Sequence, residues 1–237
     1  MSIYRQMAEV TAYSLIGIYG GTFDPVHYGH LRIAEELTGI LRLSHLFFLP
    51  AGQPRLRDTP IVPGAHRVAM LHEAIRGNAM FSVDDREIKR SGETYSVESL
   101  QEIRQEYQAK YKAGKHIALC FIIGADAFIR LPHWHRWREL FELCHLIIVN
   151  RPGSALLNNL SDLPDELKAA CQTHQAVTVE ELKNLPCGHI FTTPTTLLDI
   201  SSTKIRSLIA SGKSARYLLP EAVLDYIDKH NFYAGEK

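Results

Sequence analysis

The chain has 237 residues, 46% of them hydrophobic, with 26 Lys plus Arg balanced by 26 Asp plus Glu. That length holds one full α/β core, and the balanced charge leaves no net field to retain a polyanion, so nucleic acid is not an expected partner. Four widely spaced cysteines without a CxxC predict reduced thiols, and no run reaches the ~20 apolar residues of a bilayer span, so a soluble, cytoplasmic chain without a membrane partner is expected.

Residues 1–13 match no periodic template and read as a loosely held extension to a single domain over residues 14–233. Leu15, Ile16, Ile18 and Tyr19 form an apolar, β-prone run that enters Gly20-Gly21 and leaves through Asp24-Pro25. The pattern predicts a strand, a tight loop and a helix start, with Asp24 as N-cap and Pro25 at the first helical position. Leu31, Ala34, Leu37 and Leu41 carry the helix's apolar stripe. His45 to Leu49 reads as a second strand. Residues 50–63, with Pro50, Pro54, Pro60, Pro63, Arg55 and Arg57, read as a basic loop too rich in proline for helix or central strand. Val68, Met70, Leu71, Ala74 and Ile75 continue a helix that stops at Gly77, and Phe81 to Val83 suggests a short strand. Ser96 to Tyr111 predicts a helix with Val97, Leu100 and Ile103 inward. The continuous apolar run at residues 116–123, ending in Gly124-Ala125-Asp126, predicts a strand buried on both faces of a parallel sheet, and Leu146 to Val149 repeats it. Pro164 to Thr173 suggests a helix, and residues 189–192 a last strand before LLDISSTKIRSLIASG. Alternating strands and helices predict a doubly wound parallel α/β sheet, Rossmann-like in class, with ligands at the carboxyl ends of its strands.

Two segments carry chemistry. In GGTFDPVHYGH, Gly20 and Gly21 permit close approach of a ligand to the backbone. His27 and His30, three residues apart, share one face of a first helical turn beside the positive end of the helix dipole. Two donors and a helix N-terminus suit a phosphate. In ISSTKIR, Ser201, Ser202 and Thr203 precede a second helical stripe (Ile205, Leu208, Ile209), and Arg206 lies one turn on with a guanidinium able to fork onto phosphate oxygens. Other chemistries find no support. The glycines never fall as GxGxxG, SLIASGKS lacks the first glycine of a P-loop, Cys171 with His174 and His133 with His135 lack a second ligand pair for zinc, and no GxSxG elbow occurs.

Taken together, GGTFDPVHYGH resembles the GGxFDPxHxGH signature of the HxGH nucleotidyltransferase superfamily, and ISSTKIR its ISSTxIR element. GETYSVESL, FIIGADAF and LPHW resemble the TYTxxTL, IIGxDxL and LPxW segments of bacterial nicotinate mononucleotide adenylyltransferases, so the likeness runs from about Leu15 to Tyr233. It implies a Rossmann-like nucleotidyltransferase fold and transfer of the adenylyl group of ATP to nicotinate mononucleotide, giving nicotinate adenine dinucleotide and pyrophosphate in NAD synthesis. Carried over by position, His27, His30 and Arg206 would be catalytic. Gly20, Gly21, Thr22, Phe23, Gly124, Ser201, Ser202 and Thr203 would lie along ATP. Asp126 would meet ribose hydroxyls, Trp134 would stack on the pyridine ring, and Ser96 with the backbone at His135 would recognise the carboxylate. Tyr95 stays open between packing and binding.

Magnesium (Mg2+) is expected to arrive on the ATP phosphates, since no carboxylate cage is visible, and the protein is expected to be a monomer or small homo-oligomer. One departure stands out: where the family has a PPHK-like loop this chain has PRLR, with Leu56 in place of the histidine, leaving Arg55 or Arg57 to supply the charge. Competing readings are a phosphopantetheine or cytidylyl transferase of the same superfamily and a non-catalytic nucleotide-binding protein. The length and the LPHW and TYS segments argue against the first, the intact His27, His30 and Arg206 against the second.

Overall fold

The computed structural model describes residues 12–53, 59–110, 116–149, 163–196 and 198–235. The expectations for Arg55, Leu56, Arg57 and most of the N-terminal extension therefore lie outside the described residues. In chain order the elements are β1 (Ser14–Gly21), α1 (Tyr28–Leu41), β2 (His45–Pro50), α2 (Gly64–Ala74), β3 (Phe81–Val83), α3 (Arg86–Lys89), α4 (Ser96–Lys110), β4 (Ile117–Gly124) and α5 (Ala125–Ile129). Short 3-10 turns (Leu131–His133, Trp137–Glu139) lead to α6 (Leu140–Leu143), β5 (His145–Val149), α7 (Asp165–His174), β6 (Gln175–Ala176), α8 (Val179–Asn184), β7 (Ile190–Thr193), α9 (Ser202–Ala210) and α10 (Glu221–Lys229).

The seven strands form one sheet in the order β3-β2-β1-β4-β5-β7-β6, every pairing parallel. Side chains alternate between two cores, as the period of two in a strand requires. Leu15 and Tyr19 of β1 and Ala118, Cys120 and Ile122 of β4 face one core, with α1, α2, α9 and α10 packed on it through Leu37, Met70, Ile205 and Val223. Ile16, Ile18, Leu119, Phe121 and Ile123 face the other, covered by α4, α6 and α7 through Leu100, Leu140 and Leu167. Burial on both faces is what the uninterrupted apolar runs predict for a doubly wound sheet. The cysteines are free, three of them buried. Among the described residues no helix is long and apolar enough to cross a membrane.

The strand order reverses between β1 and β4, and adjacent strands at such a reversal send their connections to opposite faces, leaving a crevice beyond their carboxyl ends. Gly20-Gly21 and Gly124 end those two strands.

Candidate active site

The signature loop departs from its expected geometry at one point. Helix α1 begins at Tyr28, with His27 rather than Asp24 at the N-cap, and the Asp24–Pro25 peptide is cis. Asp24 is only 3% exposed, and its carboxylate is occupied by long-range partners: it accepts from the Ile61 amide at 2.7 Å and from the Tyr233 hydroxyl at 2.5 Å. A carboxylate taken up by a distant amide and phenol is not available to the first-turn amides. His27 and His30 nonetheless share one face as the spacing predicts, their rings stacked with centroids 3.7 Å apart. The His27 amide donates to Nδ1 of His30 at 3.3 Å; a neutral ring accepting there carries its proton on Nε2, the donor a phosphate oxygen needs. The first-turn amides contribute less than expected, since the Tyr28 amide donates to the Leu218 carbonyl and the His30 amide to the His27 carbonyl.

The glycines serve packing as well as access. A Cβ at Gly21 would meet the Phe23 ring at 2.7 Å, and one at Gly20 the Phe121 ring at 3.0 Å. Phe23, in a left-handed conformation (φ 51), folds its ring inward against Tyr19, His30 and Phe48. Its side chain is core, so only its backbone can border a nucleotide. Thr22 gives its carbonyl to Arg67 at 2.7 Å.

The second motif forms as predicted. Ser201 caps α9, its hydroxyl accepting from the Lys204 amide, while the amides of Ser202 and Thr203 precede the first intrahelical bond and are the orphan donors of that helix. The two motifs are bonded to each other: the Ser202 hydroxyl donates to the Pro25 carbonyl at 2.9 Å, and the Arg206 guanidinium to the Asp24 carbonyl at 2.8 Å and the Thr203 hydroxyl at 3.4 Å. Arg206 and the stacked histidines are thus held on one loop, although 176 residues separate His30 and Arg206 in sequence.

Beside this loop opens a cleft of about 490 Å³, lined among others by Gly20, Gly21, Ser96, Phe121, Gly124, Trp134 and His135. Ser96 begins α4. The Trp134 ring stands edge-on to Phe121, centroids 6.4 Å apart, and the His135 ring lies 4.5 Å from Tyr95. Asp126 is not among the lining residues; its carboxylate sits 3.7 Å from Arg130 on the next turn. His27, His30 and Arg206 likewise lie outside the cleft proper: they sit on the side of the signature loop, while Tyr95, Trp134 and His135 line the aromatic side.

Sequence reasoning missed the groups beneath the site. Arg67 of α2 is 2% exposed and donates to the carbonyls of Thr22, Ala51 and Val62 at 2.7, 2.8 and 3.2 Å. Burial pulls its pKa below the ordinary arginine value, against the pull of Asp24, Tyr233 and Glu87. Glu87, buried at the cleft, accepts from the Gly52 amide at 3.2 Å and the Ser99 hydroxyl at 2.8 Å. These bonds tie the ends of β1 and β2 to α2, α3 and α4. The only sequence signal was an arginine on the apolar side of a predicted helix. Among the described residues no three His, Cys, Asp or Glu side chains come together as a metal-holding group.

The sheet order and the two bonded loop motifs at its reversal define a nucleotide-binding α/β protein of the nucleotidyltransferase type. The cytidylyltransferase-like family model matches residues 18–208, and the chain belongs to that family. Within it, the chain is 43% identical over 218 residues (92% of this chain, 97% of the relative) to a protein of Dechloromonas aromatica named "Probable nicotinate-nucleotide adenylyltransferase". It is 42% identical to the Methylococcus capsulatus protein of the same name (93% and 100% covered). The Plasmodium falciparum nicotinic acid mononucleotide adenylyltransferase complexed with NaAD has a similar fold, with a TM-score of 0.64 at 18% identity over 93% of this chain and 98% of that one.

Proposed function

We propose that this protein transfers the adenylyl group of ATP to nicotinate mononucleotide, releasing pyrophosphate and nicotinate adenine dinucleotide. The observation that carries the reading is the junction of the two motifs: Arg206 and Ser202 bonded to the main chain of Asp24-Pro25, with the His27–His30 stack on one side and the aromatic cleft on the other. Relatives above 40% identity over nine-tenths of the chain carry the corresponding name.

In this reaction a phosphate oxygen of the mononucleotide attacks the α-phosphorus of ATP. The new P–O bond forms in line with the breaking bond to the bridging oxygen, and pyrophosphate leaves with that electron pair. Little covalent work falls to the protein, so positioning and charge neutralisation dominate. The Nε2 proton of His30, with His27 beside it, meets charge that builds on the α-phosphate. Arg206 and the orphan amides of α9 hold the departing pyrophosphate. Bound magnesium supplies charge neutralisation on the phosphates; the nearby Asp24 carboxylate is committed to Ile61 and Tyr233, so the residues present suit a metal carried by ATP oxygens rather than a protein cage. Trp134 stacks on the pyridine ring, and Ser96 with the His135 amide donates to the carboxylate.

Pyrophosphate release from ATP with a panel of acceptors tests the reading: nicotinate mononucleotide, nicotinamide mononucleotide, phosphopantetheine and glycerol phosphate. Two charge-assisted contacts to a carboxylate, each about 1.5–3 kcal/mol, imply at least about a tenfold preference for the acid over the amide. Equal specificity constants for the two mononucleotides would refute acid recognition, and release only with another acceptor would move the protein to a different transferase.

A further inference from the structure

The signature loop is held from below by the far end of the chain. After α10 the backbone turns through Asn231 (φ 53) and Tyr233 (φ 61), both left-handed, with the Phe232 amide closing onto the Ile227 carbonyl at 3.1 Å. This brings Tyr233, 8% exposed, beneath Asp24, where its hydroxyl donates to Oδ1 at 2.5 Å across 209 residues of sequence. Two residues on, a Cβ at Gly235 would lie 2.7 Å from the Ala210 carbonyl, so the tail runs against the end of α9, the helix that carries Arg206. Asp24 is the knot of this arrangement. Oδ1 takes the tail, Oδ2 takes Ile61 from the segment before α2, and its carbonyl takes Arg206.

We propose that Tyr233 is a positioning residue for the phosphate side: by fixing the Asp24 carboxylate it sets the plane of the Asp24-Pro25 main chain, and with it the placement of Arg206. The inference rests on the adenylyltransferase reading for its kinetic readout alone. Without the hydroxyl, a buried carboxylate loses one of its two side-chain hydrogen bonds and the loop re-seats to recover it. Arg206, which follows the Asp24 carbonyl, then meets pyrophosphate less well. The aromatic side, built on β4 and α4, touches none of these atoms.

A matched control lies seven residues earlier. Tyr226 of α10 gives its hydroxyl to a bond with His66 Nδ1 at 2.9 Å, holding α10 on α2 rather than bonding to Asp24. Tyr233→Phe and Tyr226→Phe each remove one phenolic oxygen from the same C-terminal region. Tyr233→Phe is expected to raise the pyrophosphate KM of the reverse reaction by about fivefold or more, the loss of roughly one hydrogen bond. The nicotinate mononucleotide KM should stay within about twofold, since that side shares no partner with the change. Tyr226→Phe is expected to lower Tm to a similar degree and leave both KM values in place, and Asp24→Asn to follow Tyr233→Phe. Indistinguishable kinetic constants in Tyr233→Phe and Tyr226→Phe would overturn the proposal. Hydrogen exchange in the peptide spanning residues 20–28 gives a readout that needs no turnover: faster exchange in Tyr233→Phe than in Tyr226→Phe supports the latch, and equal exchange overturns it. Failure of the parent protein to use nicotinate mononucleotide would overturn the activity and leave this comparison standing.

Discussion

On the side proposed to hold the phosphates, polar side chains are tied to main chain from several directions: Arg67 to Thr22, Ala51 and Val62, Arg206 to Asp24, Ser202 to Pro25. On the aromatic side, Trp134 follows a short 3-10 turn and meets Phe121 edge to face, and His135 is an exposed ring against Tyr95. The contrast fits what the proposed reaction asks of each side. Charge that appears only in the transition state is stabilised best by donors fixed in advance, which cost no reorganisation at the moment of reaction. A flat ring is recognised by area and stacking, which tolerate small movements. The protein buries its polar network around the signature loop and leaves its aromatic groups more open at the cleft, as the proposed reaction requires.

The comparison is tested most severely by His30→Ala. Loss of one preorganised donor costs on the order of 10²- to 10³-fold in rate, so kcat should fall by that factor with the ATP KM little changed in steady-state kinetics. A variant keeping half the parent turnover would remove His30 from the chemistry. Arg67→Met comes next. It strips the donor from three main-chain carbonyls at a site 2% exposed, and should lower unfolding stability by about 3 kcal/mol, read from a urea transition. A loss near zero would mean that the brace is not part of what holds the loop.

A third test separates stability from chemistry. His145 of β5 is fully buried, its Nε2 bonded to the Leu185 carbonyl at 3.1 Å and its Nδ1 accepting from the His189 amide at 3.1 Å. Burial first, then the nearby His189 and Arg104, lowers its pKa from 6.5 to about 4. The unfolded chain binds this proton more readily, so stability is present above pH 6.5 and drains away as pH falls towards 4, by about 2 kcal/mol between pH 7 and pH 5. Denaturation midpoints at the two pH values check this, with His145→Gln expected to flatten the dependence. A smaller effect is expected for Arg206→Ala: about a tenfold rise in pyrophosphate KM, one charge-assisted contact. Unchanged pyrophosphate affinity would place the leaving group elsewhere.

The division between the two sides also marks what could be read from the sequence. All the strands but β6, the double burial of β4 and the shared face of His27 and His30 follow from local period and spacing, because one element decides them. The cap on α9 is equally local. Asp24 was legible only as a helix cap, since its partners Ile61 and Tyr233 lie 37 and 209 residues away and nothing in a DP dipeptide announces them. Arg67 and Glu87 stay hidden for the same reason: their partners are mostly main-chain groups, which every residue carries. The four-residue α3 and two-residue β6 are too short to show a period, whereas α8 had a readable start in the Thr178/Glu181 capping box.

The division of labour itself is tested most directly by steady-state kinetics on His30→Ala and Trp134→Ala side by side, with nicotinate mononucleotide as the varied acceptor. The account predicts a fall confined mainly to kcat in the first variant. In the second it predicts a rise in acceptor KM by about tenfold, near the worth of one stacked ring, with the acid-to-amide ratio preserved. Both variants moving the same constant by the same factor would contradict it.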